Sequence, residues 1–301
     1  MTKKLLVVFA AALVFSPALL LADADDSPAA IGAGKGPFGL LDPASKYYRD
    51  VFPEPFRVED TAIDNELRFD WEHDEARGAR SNIVTAEVQK SFGIVTFEVQ
   101  SPYAITTGGG EDDDAADRPS GHHAEGFANV ELAGRIPIYQ FVSASGLFDN
   151  SIGFNLELGV PTNSIFSKNT ELAPGIFDDL AIGDHFTLQT LFTFSHLFGS
   201  LQTGRDTFEY GLAFGYAIED EEFAVPHVER LIPMVEVLGE TTLSGYTAGT
   251  NVLTGTAGLR AEFKSIGKIQ PQLGIGYIFP IDKGGRDQLQ WGLFTSLVFE
   301  F

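Results

Sequence analysis

The stretch Leu289-Gln290-Trp291-Gly292-Leu293-Phe294-Thr295-Ser296-Leu297-Val298-Phe299-Glu300-Phe301 sorts by parity. Leu289, Trp291, Leu293, Thr295, Leu297, Phe299 and Phe301 share one face. Gln290, Gly292, Phe294, Ser296, Val298 and Glu300 share the other. An amphipathic helix would repeat its apolar residues at three and four, so this is a strand with one greasy side. It is also long. A tilted strand needs about 9–11 residues to cross a bilayer, whereas strands of soluble proteins have a mode of roughly 5–6.

Working back along the chain, the same period of two recurs. Ile269, Pro271, Leu273, Ile275, Tyr277 and Phe279 oppose Gln270, Gln272, Gly274, Gly276 and Ile278. Leu253, Gly255, Ala257, Leu259, Ala261 and Phe263 oppose Thr254, Thr256, Gly258, Arg260 and Glu262. Eleven such segments are plain: about 64–74, 81–91, 93–103, 125–138, 149–160, 185–197, 206–218, 229–240, 251–264, 268–280 and 288–301. Both ends of a bacterial barrel normally lie on one side of the membrane, so the count should be even. The gap from 161 to 184 therefore hides a twelfth, placed at about 173–182 and joined to the next by a tight turn at Gly183-Asp184. The expectation is an all-β, transmembrane, antiparallel up-and-down barrel of about twelve strands, with ten and fourteen as the neighbouring even counts. Ser91-Phe92, Gly183-Asp184 and Ser265–Gly267 are the expected short turns; the stretches near 104–124, 161–172, 198–205, 241–250 and 281–287 are the outward loops. The stretch 219–228 is long for a turn on the periplasmic side.

Alternation alone also suits a soluble sandwich, whose apolar faces turn inward. Three features favour the inverted arrangement. The segments are of spanning length. Their polar faces carry Glu and Arg opposed by glycine, as in a crowded interior. Aromatic residues gather at segment ends, as with Trp71, Tyr103, Tyr210, Tyr216, Tyr277, Trp291 and Phe301, in the manner of the interfacial girdles of barrels.

The N-terminus reads as an export signal. Lys3 and Lys4 precede an apolar run from Leu5 to Leu21, followed by the small-residue site Ala22-Asp23-Ala24. Residues 1–24 are thus a cleaved signal peptide, 25–62 a Pro-, Gly- and Asp-rich periplasmic lead-in or partial plug, and 63–301 the barrel. No second apolar run reaches spanning length, so a membrane would be crossed by strands.

Composition narrows the function. The chain of 301 residues has 42 acids against 20 bases, a formal charge of −22, 32 Gly, 26 Phe and no Cys. The absence of cysteine excludes a disulfide scaffold, a cysteine metal site and a Cys nucleophile. The acidity argues against nucleic acid, whose phosphates need a basic surface.

The C-terminal Leu297-Val298-Phe299-Glu300-Phe301 resembles the terminal signal of bacterial outer-membrane proteins, in which Leu297, Phe299 and Phe301 would be what the barrel-assembly machinery reads. The chain also resembles, from about residue 93 to 301, the outer-membrane proteins of the MetA pathway of phenol degradation. Gly126-Phe127-Ala128-Asn129-Val130-Glu131-Leu132 is similar to that family's glycine-led strand. Leu156-Glu157-Leu158-Gly159-Val160-Pro161-Thr162 is similar to its strand ending in Leu-Pro-Thr-Gly, with Val160 and Asn163 in place of the Leu and Gly. Pro233-Met234-Val235-Glu236-Val237-Leu238-Gly239 resembles its Glu-bearing strand. The resemblance implies a barrel that passes small molecules, hydrophobic or aromatic ones included.

By parity the interior carries Glu66, Arg68, Asp70, Glu72, Glu87, Glu98, Glu131, Arg135, Glu157, Glu209, Arg230, Glu236, Arg260, Glu262 and Glu300. A surplus of carboxylates in a narrow pore focuses the field that favours cations. The bland alternative is a charge network that fills the interior and blocks it. Arg260 is expected to pair with Glu262 and Glu236. The loop residues Glu111, Asp112, Asp113, Asp114, His122 and His123 form a candidate divalent-cation site by donor type, although an acidic loop is more often simply solvated. Ser195-His196 raises the question of a lipid-acting enzyme. Adjacent strand residues point to opposite faces, so these two cannot act together, and no catalytic residue or cofactor is assigned.

The function expected is an outer-membrane barrel of a Gram-negative bacterium that passes or takes up small molecules. The alternatives are a nonconducting structural or adhesion barrel and, behind it, a lipid-acting barrel enzyme. The partners expected are outer-membrane lipid, the assembly machinery and a small solute.

Overall fold

The computed structural model describes residues 52–59, 63–108, 123–162, 166, 169–199, 205–245 and 247–301. Its strands are β1(Glu66–Ala76), β2(Ala79–Phe92), β3(Val95–Gly108), β4(His123–Phe127), β5(Val130–Val142), β6(Phe148–Val160), β7(Thr170–Ile182), β8(Phe186–Phe198), β9(Arg205–Tyr216), β10(Ile218–Glu219), β11(Val228–Thr242), β12(Asn251–Phe263), β13(Gln270–Pro280) and β14(Trp291–Glu300). Apart from the short β4 and β10, each pairs antiparallel with the next along the chain. β4 and β5 both pair β3 and form one wall element interrupted at Ala128-Asn129; the two-residue β10 prolongs the same hairpin as β9 against β11. Counted as wall elements, the strands number twelve. β1 closes on β14, from Glu66↔Glu300 to Glu75↔Trp291. Closure leaves no open edge, which is what a sheet in hydrocarbon requires.

The hidden strand is β7, paired to β6 from Gly159↔Glu171 to Phe148↔Ile182. Gly183 turns the chain into β8 with φ 65, a backbone conformation that costs glycine little. The expected turn at Ser91-Phe92 falls two residues later. Ser91 and Phe92 still pair with Thr96 and Val95, and Gly93, with φ 67, begins the reversal. The long connection after β9 is structured by β10, a 3-10 turn at Asp220–Glu222 and an ion pair from Lys264 Nζ to Asp220 at 2.7 Å. Asp220 holds the Lys264 ammonium above its ordinary pKa. The expected signal peptide, most of 25–62, and the acidic loop residues Glu111 to His122 lie outside the described residues.

The apolar side chains face outward. Phe97, Val99, Phe154, Leu156, Phe192, Phe194, Leu212, Phe214, Val235, Leu273, Ile275 and Tyr277 are exposed, while the residues between them are buried. Aromatic rings form two belts. One lies at the end where β1 begins and β14 finishes (the near end), with Phe92 against Phe97 and Phe186 against Phe214 and Tyr216. The other lies at the far end, with His73 between Trp71 and Trp291, Tyr103 against Phe127, and Tyr277 beside Phe279.

Candidate functional site: the barrel interior

The inward residues of the near half are packed solid. Glu66, Gln89, Gln189, Gln272 and Glu262 are essentially without solvent exposure. Gln89 bonds to Asp64 and to Arg135, and Gln272 to Glu300. Arg230 pairs with Glu262. Asp64, Glu66 and Glu300 bring carboxylate oxygens within 4.8 Å of one another. Such a cluster of acids is not by itself a metal centre.

What fills the middle of the barrel comes from before β1. Phe52–Glu59 lies inside, with Phe52, Glu54, Phe56 and Val58 buried. Its apolar side chains reach two neighbouring stretches of wall. Phe52 and Val58, with Ile63, pack on Phe177, Leu191 and Ala213 of β7–β9. Phe56 packs on Ile232, Met234, Ile278 and Phe294 of β11–β14. The seat for Phe56 is built of glycine. A Cβ at Gly258 would stand 2.7 Å from the ring, and one at Gly274 2.9 Å from it. The Arg260 guanidinium carbon sits 5.6 Å from the ring centroid, within cation–π range.

Several charged residues of the interior are committed to this segment. The Glu236 carboxylate accepts the main-chain N–H of Phe56, that of Arg57 at 2.8 Å and that of Val58 at 3.3 Å. Arg68 donates to the Phe56 carbonyl at 2.6 Å and the Pro55 carbonyl at 3.2 Å, and pairs with Glu54 and with Asp70. Arg57 pairs with Glu72 at 2.9 Å, and Arg135 joins Glu59 to Glu98. The expected pairing of Arg260 with Glu262 and Glu236 is corrected. Arg260 donates to the Pro55 carbonyl at 2.9 Å and to Gln272 at 3.4 Å, while Glu262 takes Arg230 and Glu236 takes main-chain amides. The inserted segment draws Arg260 and Glu236 to its main chain, and Glu262 is left to Arg230 of the wall.

Above the segment lies a cavity of about 850 Å³, with Phe56, Arg57, Val58 and Glu59 on its near side. Its walls carry Glu72, Glu87, Glu131, Glu157, Glu171, Glu209 and Glu240 against Arg57, Arg68 and Arg205. Arg205 pairs with Glu240, and Ser195 donates to Glu209 at 3.1 Å. Among the described residues no guanidinium stands at ion-pair distance from Glu131 or Glu157. At the rim, Asp282 caps the short helix Lys283–Gln288. It accepts the Gly285 N–H at 2.6 Å and the Leu253 N–H at 3.0 Å, and these amide hydrogen bonds, the Gly285 one foremost, hold its carboxyl below the usual range.

His196 lies on the outer face near the far end, its Nδ1 2.6 Å from Asp206, while Ser195 points inward. Ser244 accepts the Asp206 main-chain N–H at 2.8 Å. The acid thus stands between imidazole and hydroxyl, which is not the order of a nucleophile, base and orienting acid. His123, the described member of the acidic loop set, is exposed and 3.7 Å from Glu125.

The inserted segment is what parity could not find. Its signal was the run Phe52-Pro53-Glu54-Pro55-Phe56-Arg57-Val58, where large apolar residues recur within a Pro-rich stretch.

This is the fold of outer-membrane barrel proteins. The chain is similar to the COG4313 outer membrane channel from Pseudomonas putida F1, with TM-score 0.54, 14% identity, 83% of this chain covered and 100% of that one. It is more loosely similar to the NanC porin, with TM-score 0.44, 8% identity, and 79% and 98% covered. Identities this low speak to fold alone. No protein-family model matches the chain, and no curated protein matches it.

Proposed function

We propose that the chain is an outer-membrane barrel that lets small molecules cross, polar cations ahead of anions. The observation that carries this is the pairing of an apolar outer wall with an acid-lined cavity of about 850 Å³ inside a closed barrel. Carboxylates in a confined space raise the local concentration of cations. Hydrophobic or aromatic cargo rests on the resemblance to the phenol-degradation proteins, and the acidic walls favour such a molecule when it also carries positive charge. The C-terminal Leu297, Phe299 and Phe301 serve assembly in this reading. No catalytic role is included, since Asp206 separates His196 from Ser244. A nonconducting barrel is the rival that the packed near half favours.

Planar-bilayer recording of the purified protein under a KCl gradient tests the proposal. Discrete steps with a reversal potential on the potassium side are expected. A reversal on the chloride side would overturn the cation preference, and silence under all conditions, with the inserted segment removed as well, would overturn passage itself.

A further inference from the structure

Phe52–Glu59 adds no rung to the barrel wall. What holds its main chain is side chains: Glu236 takes three successive amides, while Arg68 and Arg260 take the carbonyls of Pro55 and Phe56. That is how a protein holds a peptide ligand, not how a sheet holds a strand. Polar groups released from such a site meet the water of the cavity above, whereas a released wall rung would face hydrocarbon. The seat is also shaped for this occupant. Gly258 and Gly274 leave room for the Phe56 ring, and a Cβ at Gly211 would stand 3.1 Å from Val58. The segment borders the cavity on its near side, and the inward residues beyond it toward the near end are buried. Among the described residues the segment therefore stands between the cavity of the far half and the buried side chains of the near half.

We infer that Phe52–Glu59 is a displaceable plug latched by Glu236, and that its withdrawal joins the acidic cavity to the near end. The inference rests on the passage reading above and specifies what controls passage. Glu236 is the positioning residue: a single carboxylate whose loss frees three amides at once. Phe56 is the wedge that its latch keeps seated.

The chain has no cysteine, so a cross-link can be introduced without background. Val58→Cys with Gly211→Cys places two sulfurs on carbons whose separation suits a disulfide, for which Cβ atoms lie roughly 3.5–4.5 Å apart. The full-length double variant is examined in planar bilayers, oxidised and then treated with dithiothreitol. Formation of the cross-link in the folded barrel is expected, with silence when oxidised and steps on reduction. Glu236→Gln, alone, is expected to raise the open fraction several-fold over the unaltered protein. Failure of the cross-link to form, or equal conduction in oxidised and reduced states, would overturn the plug. An open fraction unchanged in Glu236→Gln would overturn the latch. Deletion of 52–59, with folding checked by heat-modifiable gel mobility, separates the two levels of the argument. A folded but silent deletion would overturn passage; a conducting deletion beside an ineffective cross-link would overturn the plug alone.

Discussion

Glu236 and Arg57 stand 179 residues apart in the chain, yet a Glu236 carboxylate oxygen accepts the Arg57 main-chain N–H at 2.8 Å across the barrel interior. The contact ties the segment before β1 to β11, on the wall between β9 and β12. It converts a charge that alternation alone would place in a water-filled pore into a structural anchor. A carboxylate buried without such donors would cost several kcal/mol, and the three amides offset part of that cost.

Because Phe56 is fully buried between glycine strands and Phe294, Phe56→Ala should weaken seating of the segment by about 3–5 kcal/mol, the usual range for deleting a buried aromatic ring. Trypsin reports this directly. The Arg57-Val58 bond is interior in the folded protein, and cleavage there should be slow in the unaltered chain and faster in the variant. Gly274→Ala, which places a methyl 2.9 Å from the ring, should act in the same direction. Equal cleavage rates in all three would contradict the seat.

The inward and outward faces should respond oppositely to charge. Ile275 is among the most exposed apolar side chains of β13, and Ile275→Arg should destabilise the folded state in lipid vesicles by about 2–4 kcal/mol if it lies near the midplane. Glu157→Arg, on the inward face of β6, should be tolerated, since it enters a cavity rich in carboxyl groups. Urea titration in vesicles measures both. A tolerated Ile275→Arg would contradict the assigned faces.

Glu131 and Glu157 place carboxyl groups on the cavity wall without an ion-pair partner among the described residues. Neutralising both as Glu131→Gln and Glu157→Gln should move the reversal potential under a KCl gradient toward zero, with the barrel's stability unchanged. An unmoved potential would place the selectivity elsewhere.

At the rim, amide donors hold the Asp282 carboxyl below its ordinary pKa. A depressed acid stabilises the fold above its unfolded pKa, about 3.9 for Asp, and that contribution is lost as pH falls through the folded value. Hydrogen-exchange protection of the Gly285 and Leu253 amides should therefore be constant from neutrality to about pH 4 and fall below it. Asp282→Ala should lose that protection at every pH, by about 1 kcal/mol, the typical worth of a helix cap. Protection indifferent to both changes would contradict the cap.

The wall was legible because a strand's side chains alternate and nothing in the sequence breaks that rule for long. β13 and β14 show their inner and outer faces residue by residue. β7 was harder, since Pro174, Gly175 and the pair Asp178-Asp179 blur its period; only the even count demanded it. Turn positions moved by two residues where pairing persisted, as at Ser91 and Phe92. The glycines of β12 and β13 were legible as signs of a crowded interior, but not what crowded it. That depends on Phe56, more than two hundred residues away from Gly274 and in a stretch with no sustained period. Partner choice among interior charges was illegible for the same reason: parity places Arg260 inside but says nothing of the Pro55 carbonyl.

Everything above depends on the apolar face meeting lipid, and the chain contains two tryptophans with which to ask. Both lie on the outer face of the paired strands β1 and β14, Trp291 at the far end and Trp71 nearer mid-strand. Fluorescence of the folded protein in vesicles of lipid brominated at graded depths measures their contact with acyl chains. Strong quenching is predicted, with Trp291 responding to bromine close to the headgroup and Trp71 to bromine deeper along the chains. Emission unaffected by bromine at any depth would contradict the account.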